Sequence, residues 1–280
     1  MTSFSRALGA EFAKLGTTRL WWVLAAVMFG YIALLAGGLS ALFAGIESGA
    51  ISPDAAGTGS QGLAGFGSLP PLIYSFASSV GYVFPVLLGA LATTGEFRHQ
   101  TLTPTFLANP RRAQVLGAKT ITLFVVGAVF GVVALLASVG VGALVINAFD
   151  VDPLLADSAT WALIGRTVLA MAIWSTIGVG LGVLVHSQVA SIVIVLAFTQ
   201  FVEPLLRFAS LFTDVTRGIG NYLPGAASDA LVGASFFTLA APGGTPAALL
   251  EWWQGGLVLL AYMLAATVIG YAVSWKRDVT

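Results

Sequence analysis

The chain has no cysteine. Disulfides, thiolate metal sites and a cysteine nucleophile are therefore excluded. It has two histidines, His99 and His186, too far apart in sequence to suggest a histidine-based metal cluster. Charge is scarce: Asp, Glu, Lys and Arg make up 9% of 280 residues, against about 25% in a soluble domain. A chain so poor in charge cannot cover a water-facing surface, so most of its solvent must be lipid. The formal net charge is zero, which leaves no basic excess for nucleic acid. The G-x-x-x-x-G-K-[ST] phosphate loop is missing. Its nearest fragment, Gly117-Ala118-Lys119-Thr120, lacks the glycine directly before lysine. No H-E-x-x-H spacing occurs, no Ser/His/Asp set suggests itself, and no aspartate falls inside a long apolar run. The chain is expected to have no catalytic residues, no metal site and no cofactor of its own. Its first apolar run, from Leu20 to about Ala44, is too long for a signal-peptide core of roughly 7–15 residues, so a cleavable leader is not expected.

What the chain has is apolar length: hydrophobic residues fill 58% of it. A membrane helix needs roughly 20 apolar residues. Six segments qualify, at about 20–44, 72–94, 120–146, 163–185, 189–208 and 255–275. The fifth is interrupted by Glu203-Pro204. These runs predict a single transmembrane domain over 1–280. The class is all-α and polytopic, with an amphipathic interfacial helix first and a re-entrant or interfacial segment before the last span. With the N-terminus inside, nine of the twelve basic residues fall on the inner side, namely Arg6, Lys14, Arg19, Arg98, Arg111, Arg112, Lys119, Lys276 and Arg277. Lys and Arg concentrate in cytoplasmic loops, so both termini are expected in the cytoplasm. Trp21, Trp22, Trp161, Trp252, Trp253 and Trp275 stand at span ends, where indole rings anchor at headgroup level. Trp174 falls mid-span and reads as packing.

Before the first span, Phe4, Leu8, Phe12 and Leu15 recur at helical spacing, with Arg6, Glu11 and Lys14 on the other faces. This predicts an amphipathic helix over 3–16 in the inner interface, either a plain anchor or a mechanical part. The loop Ile46–Pro71 is rich in Gly, Ser and Ala. The loop 209–254 is longer and contains the apolar run Leu231–Ala241, too short to span. The turn His186-Ser187-Gln188 is so tight that spans four and five are expected to form an antiparallel hairpin.

Ionisable residues inside a membrane are functional candidates. Glu203 and Arg207 stand four apart, so they share a helix face and can pair. They read either as a water-facing pair at a helix end or as the polar lining of an outer gate. Gln200 is the deepest strongly polar group of that span and either lines a pathway or bonds a neighbouring helix. Arg166 is placed near the outer surface. Gly127-x-x-x-Gly131 and Gly178-x-x-x-Gly182 match the close-packing pattern of membrane helices. They serve either internal packing or a dimer seam.

The richest polar stretch runs from Glu96 to Arg112: Glu96-Phe97-Arg98-His99-Gln100-Thr101-Leu102-Thr103-Pro104-Thr105-Phe106-Leu107-Ala108-Asn109-Pro110-Arg111-Arg112. Its cations, with Lys119, suit anionic lipid. Lipid alone does not require the accompanying Glu96, Thr101, Thr103, Asn109 and two prolines. A short helix over Leu102–Leu107 on a polar rim has the form of a docking element.

This stretch, together with Glu11-Phe12-x-Lys14-Leu15-x-Thr17-Thr18-Arg19-x-x-Trp22 near the start, resembles the type-2 ABC transporter permeases. These are the export-type membrane subunits of bacteria, and the Gly- and Ala-rich style resembles their actinobacterial members. Six spans and a long outer loop before the last extend the resemblance over nearly the whole chain. Pro104 inside the short helix departs from the family pattern.

The resemblance implies a permease of the bacterial cytoplasmic membrane that works as a dimer with a second copy or a homologue. It implies two copies of a separate ABC ATPase, to which ATP and Mg would bind. The coupling loop would comprise Glu96, Arg98, His99, Thr101, Thr103, Arg111 and Arg112, with Glu11, Phe12, Lys14 and Arg19 on the lead-in helix beside it. Two further readings stand against it. One is a membrane scaffold or sensor that docks a soluble partner without transport. The other is a secondary carrier, disfavoured by the absence of a central acidic or histidine relay.

Overall fold

Residue numbers decide most of the architecture, because each apolar run is long enough to be a helix and too apolar to be anything else. A computed structural model describes residues 3–52, 69–210, 214–235 and 250–275. Among these residues there is no strand, and six helical segments are long and apolar enough to cross a membrane. The chain is thus an all-α, multi-pass protein. The segments are Leu20–Glu47, Leu69–Arg98, Arg112–Ala148, Ser158–Leu184, Gln188–Ala209 and Trp252–Trp275, covering the six expected runs.

The helices are α1 (Ser3–Thr17), α2 (Leu20–Glu47), α3 (Leu69–Ser79), α4 (Val83–Arg98), α5 (Leu102–Ala108), α6 (Arg112–Leu135) and α7 (Gly142–Ala148). There follow α8 (Ser158–Leu184), α9 (Gln188–Ala197), α10 (Glu203–Ala209), α11 (Asp214–Gly220), α12 (Pro224–Val232) and α13 (Trp252–Gly270). Wider π turns fill Leu136–Val141, Phe198–Val202 and Tyr271–Trp275. We call the end of the bundle that carries α1 and α5 the basal end, and the opposite end distal.

Prolines set the breaks. Pro85 has no N–H for the Gly81 carbonyl, and the second segment breaks at 80–82 between α3 and α4. Pro204 likewise leaves the Gln200 carbonyl without its usual donor. The chain widens into the π turn Phe198–Val202 and continues as α10. The interruption at Glu203-Pro204 therefore bends the fifth segment without ending it.

Helix α8 is the centre, packed against α4, α6, α12 and α13. Its glycines allow this. A side chain on Gly178 would overlap the Val86 carbonyl of α4, and one on Gly180 would come within 2.6 Å of Ala266 Cβ in α13. Gly127 of α6 likewise sits 2.6 Å, from an added Cβ, to Ser175 Cβ of α8. Both G-x-x-x-G motifs are thus spent on internal packing. The tight turn before Gln188 is present, with Ser187 Oγ capping α9 by accepting the Ala190 N–H. The expected hairpin is splayed, however: α9 leans mainly on α4 and only touches α8.

Two further expectations change. The loop helix begins at Pro224, not at Leu231. Proline at the first helical position starts it, and Gly233, at φ +88°, stops it in the left-handed region. The remainder of the run Leu231–Ala241 lies outside the described residues after Ser235. Trp275 is no headgroup anchor. It is 1% exposed and is the largest fully buried side chain, whereas Trp22, Trp161, Trp252 and Trp253 are exposed as expected.

Candidate docking face and the charge clusters

At the basal end, α4 leaves the bundle at Arg98, and the chain turns through Gln100, whose φ is +53°. It then forms α5. Pro104 is the third residue of α5, within the first turn, where no intrahelical donor is needed. The proline that departs from the family pattern therefore fits the first turn of the short helix, which runs one residue beyond Leu107 to Ala108.

One side of α5 is wedged into the bundle. Leu102 is fully buried, and the Phe106 ring meets Trp275 edge-on at 5.5 Å. The Arg112 guanidinium lies 5.0 Å from the Phe106 centroid, and Trp275 Nε1 donates to the Arg112 carbonyl at 3.0 Å. Phe97 joins the set at 6.1 Å from Trp275 and 4.5 Å from His186. The other side points outward: Leu107 is 82% exposed, and Thr101, Thr103 and Arg111 are exposed beside it. Arg98 Nη1 donates to Gln188 Oε1 at 3.0 Å, tying the exit of α4 to the start of α9.

Behind this face lies a four-charge cluster. Lys14 Nζ sits 2.6 Å from Glu11 Oε1 and 2.7 Å from Glu96 Oε1. Lys119 Nζ sits 2.6 Å from Glu11 Oε2 and 3.2 Å from Glu96 Oε1. The cluster joins α1, α4 and α6. Burial alone would raise the Glu11 carboxyl, but Lys119 and Lys14 outweigh it and hold it below the usual carboxylate value. Burial alone would lower the Lys14 ammonium, but Glu96 and Glu11 outweigh it and raise it.

Glu11 is thus not on a water-facing side of α1. It is the one residue of the described α1 side chains that is buried, while Phe12, on the expected apolar stripe, is exposed. The helix attaches to the bundle through its acid. Arg19 and His99 are exposed nearby.

At the distal end, Glu203 and Arg207 do pair, at 3.3 Å between Oε1 and Nε, but not as a water-facing pair. Glu203 is 1% exposed. Arg207 Nη1 also reaches Asp229 Oδ2 of α12 at 2.7 Å. Asp229 accepts from Ser79 at 3.1 Å and Ser235 at 2.6 Å. Glu203 accepts the Gly225 N–H and, at 3.4 Å, the Tyr82 hydroxyl. Trp174 Nε1 donates to Ser228 of the same helix at 3.0 Å. The cluster pins α12 to α3, α8 and α10. Asp229, Ser79 and Tyr82 were not legible as partners, because they lie far from Glu203 in sequence.

Gln200 is exposed on the outer side of the fifth segment, within reach of Thr199 only. It does not line the interior of this chain. Arg166 is half-buried, its guanidinium 4.8 Å from the Trp252 ring at the distal end. Among the described residues no group of three His, Asp or Glu side chains could hold a metal.

No protein-family model matches the chain, and no characterised protein aligns with it. The geometry offers a packed, partly apolar knob at one end of a helical bundle, backed by ion pairs that join three helices.

Proposed function

We propose that this chain is the membrane-spanning subunit of an ATP-driven exporter in a bacterial cytoplasmic membrane, with its basal end in the cytoplasm. It works as a dimer, each copy docking one separate ABC ATPase. The permease does no hydrolysis, so movement must reach its spans by mechanical contact. The observation that carries the reading is α5: a short helix with Leu107 on its free side and Leu102, Phe106 and the Arg112–Phe106 contact fixing its other side. A force-bearing contact needs such a fixed shape; a lipid anchor does not. Arg98 and Glu96 then link the docking element to α9, α1 and α6. The arrangement of basic residues at the basal end agrees with a cytoplasmic orientation.

The test is isolation of the chain from its native membrane in mild detergent. A partner subunit with a phosphate-loop sequence should co-purify at equal stoichiometry, and the complex should hydrolyse ATP. Single cysteines, clean in a chain that has none, should label from the cytoplasm at Gln100 and from outside at Ala156. A chain that isolates alone, or labels at both positions from one side, is not this subunit.

A further inference from the structure

Between α1 and α5 lies a cleft of about 690 Å³. Its walls include Ala7 and Ala10 of α1 and Pro104 and Ala108 of α5, side chains too short to fill the gap. Three cations line it as well: Arg6 and Lys14 of α1, and Arg111 in the turn after α5. Asn109 Oδ1 accepts the Arg111 N–H at 3.2 Å and holds that turn. The cations are not equally committed. Lys14 is held by Glu11 and Glu96. Arg6 and Arg111 are exposed, and among the described residues neither meets a carboxylate. Glu11 is the one acid in the lining. It is buried, with its oxygens taken by Lys14 and Lys119, so it presents no free anion to the cleft. What remains is a concave surface with two uncommitted guanidinium groups in reach of water. A cleft lined by one sign of charge concentrates ions of the other, and the planar N–H fork of arginine matches phosphate oxygens.

We propose that this cleft binds a phosphate ester, carried either by a lipid headgroup or by a soluble molecule. Arg6 donates to the phosphate oxygens from the α1 side and Arg111 from the α5 side, and the organic part lies along Ala7, Ala10 and Pro104. The volume falls within the roughly 300–1,000 Å³ of small-molecule sites. The site goes beyond the exporter reading and does not rest on it, because binding is measured on this chain with no ATPase and no transport.

The experiment uses the full chain in dodecyl maltoside, a detergent without phosphate. One arm measures radiolabelled glycerol 1-phosphate by equilibrium dialysis, with glycerol as competitor. The other measures dioleoylphosphatidylglycerol retained per chain by native mass spectrometry, with dioleoylglycerol as the phosphate-free control. The variants are Arg6→Gln, Arg111→Gln, Arg19→Gln and Ala10→Phe. Arg19 is exposed at the same end and does not line the cleft, so Arg19→Gln removes the same charge elsewhere. Ala10→Phe fills the cleft and keeps every charge. In at least one arm the phosphate ester should bind saturably and its phosphate-free control should not. Binding should weaken about tenfold in Arg6→Gln and in Arg111→Gln, for the loss of charged hydrogen bonds. It should stay within about twofold in Arg19→Gln, a screened charge, and be lost in Ala10→Phe. The arm that shows this pattern identifies the source, lipid or soluble. Binding in neither arm overturns the proposal. So does a loss in Arg19→Gln equal to that in Arg6→Gln, the mark of a diffuse positive surface. Unchanged binding in a folded Arg6→Gln, Arg111→Gln or Ala10→Phe protein overturns it too.

Discussion

The two ends of the bundle solve the same problem with different charge counts. At the basal end two carboxylates share two ammonium groups. At the distal end, among the described residues, two carboxylates share one guanidinium. Each cluster fastens a peripheral helix to the spans, α1 basally and α12 distally. The difference lies in redundancy. Basally, each carboxylate keeps a cation when either lysine is lost. Distally, the loss of Arg207 leaves Glu203 and Asp229 buried together, with only neutral donors.

The largest effect should therefore come from Arg207→Met. Breaking a buried ion pair by removing one partner costs about 3–5 kcal/mol, and here two carboxylates are stranded. Thermal unfolding in detergent should show a loss of that order, with α12 opened to protease. A loss under about 1 kcal/mol, the range of an exposed pair, would restore the water-facing reading. Lys119→Met should be milder, about 1.5–3 kcal/mol, the worth of hydrogen bonds to charged groups, since Lys14 still holds both acids. The double variant Glu11→Leu/Lys119→Met should recover part of the loss, because an apolar replacement of a buried pair is often neutral. An additive double variant would mean that Glu11 and Lys119 do not act together.

The smallest effect concerns pH. Glu11 is held below the usual carboxylate value of 4.5, so its contribution to docking α1 is present above that value and is lost as pH falls through the depressed one. Lys14 is raised above 10.5, so its contribution is present below that value and is lost as pH rises through the raised one. Between 4.5 and 10.5 both stay charged. Accessibility of a cysteine at Ala7 should be flat across this window and rise only beyond it. A step near neutral pH would show that the lysines and acids do not hold α1.

Much of the fold was legible in the sequence, because long apolar runs leave one solution. The six spans and the lead-in helix follow from run length and spacing, and the short helix at Leu102 from the mixed polar make-up of its stretch. What was not legible is pairing across sequence. The periodicity of Phe4, Leu8, Phe12 and Leu15 assigns Glu11 to water, and only Lys119, more than a hundred positions later, turns it inward. The loop helix was expected from the apolar run at Leu231, whereas its start and stop are set by Pro224 and Gly233. The burial of Trp275 depended on Phe97 and Phe106 arriving from a different part of the chain.

The proposed docking role belongs to α5, and Leu107 tests it without disturbing anything behind it. Leu107 is 82% exposed and packs on nothing that holds the bundle. Leu107→Asp should leave insertion and thermal stability unchanged while abolishing co-purification of the ATPase and, with it, ATP-driven efflux. A Leu107→Asp chain that still brings down its ATPase at full yield and still drives efflux would contradict the docking role of this end of the molecule.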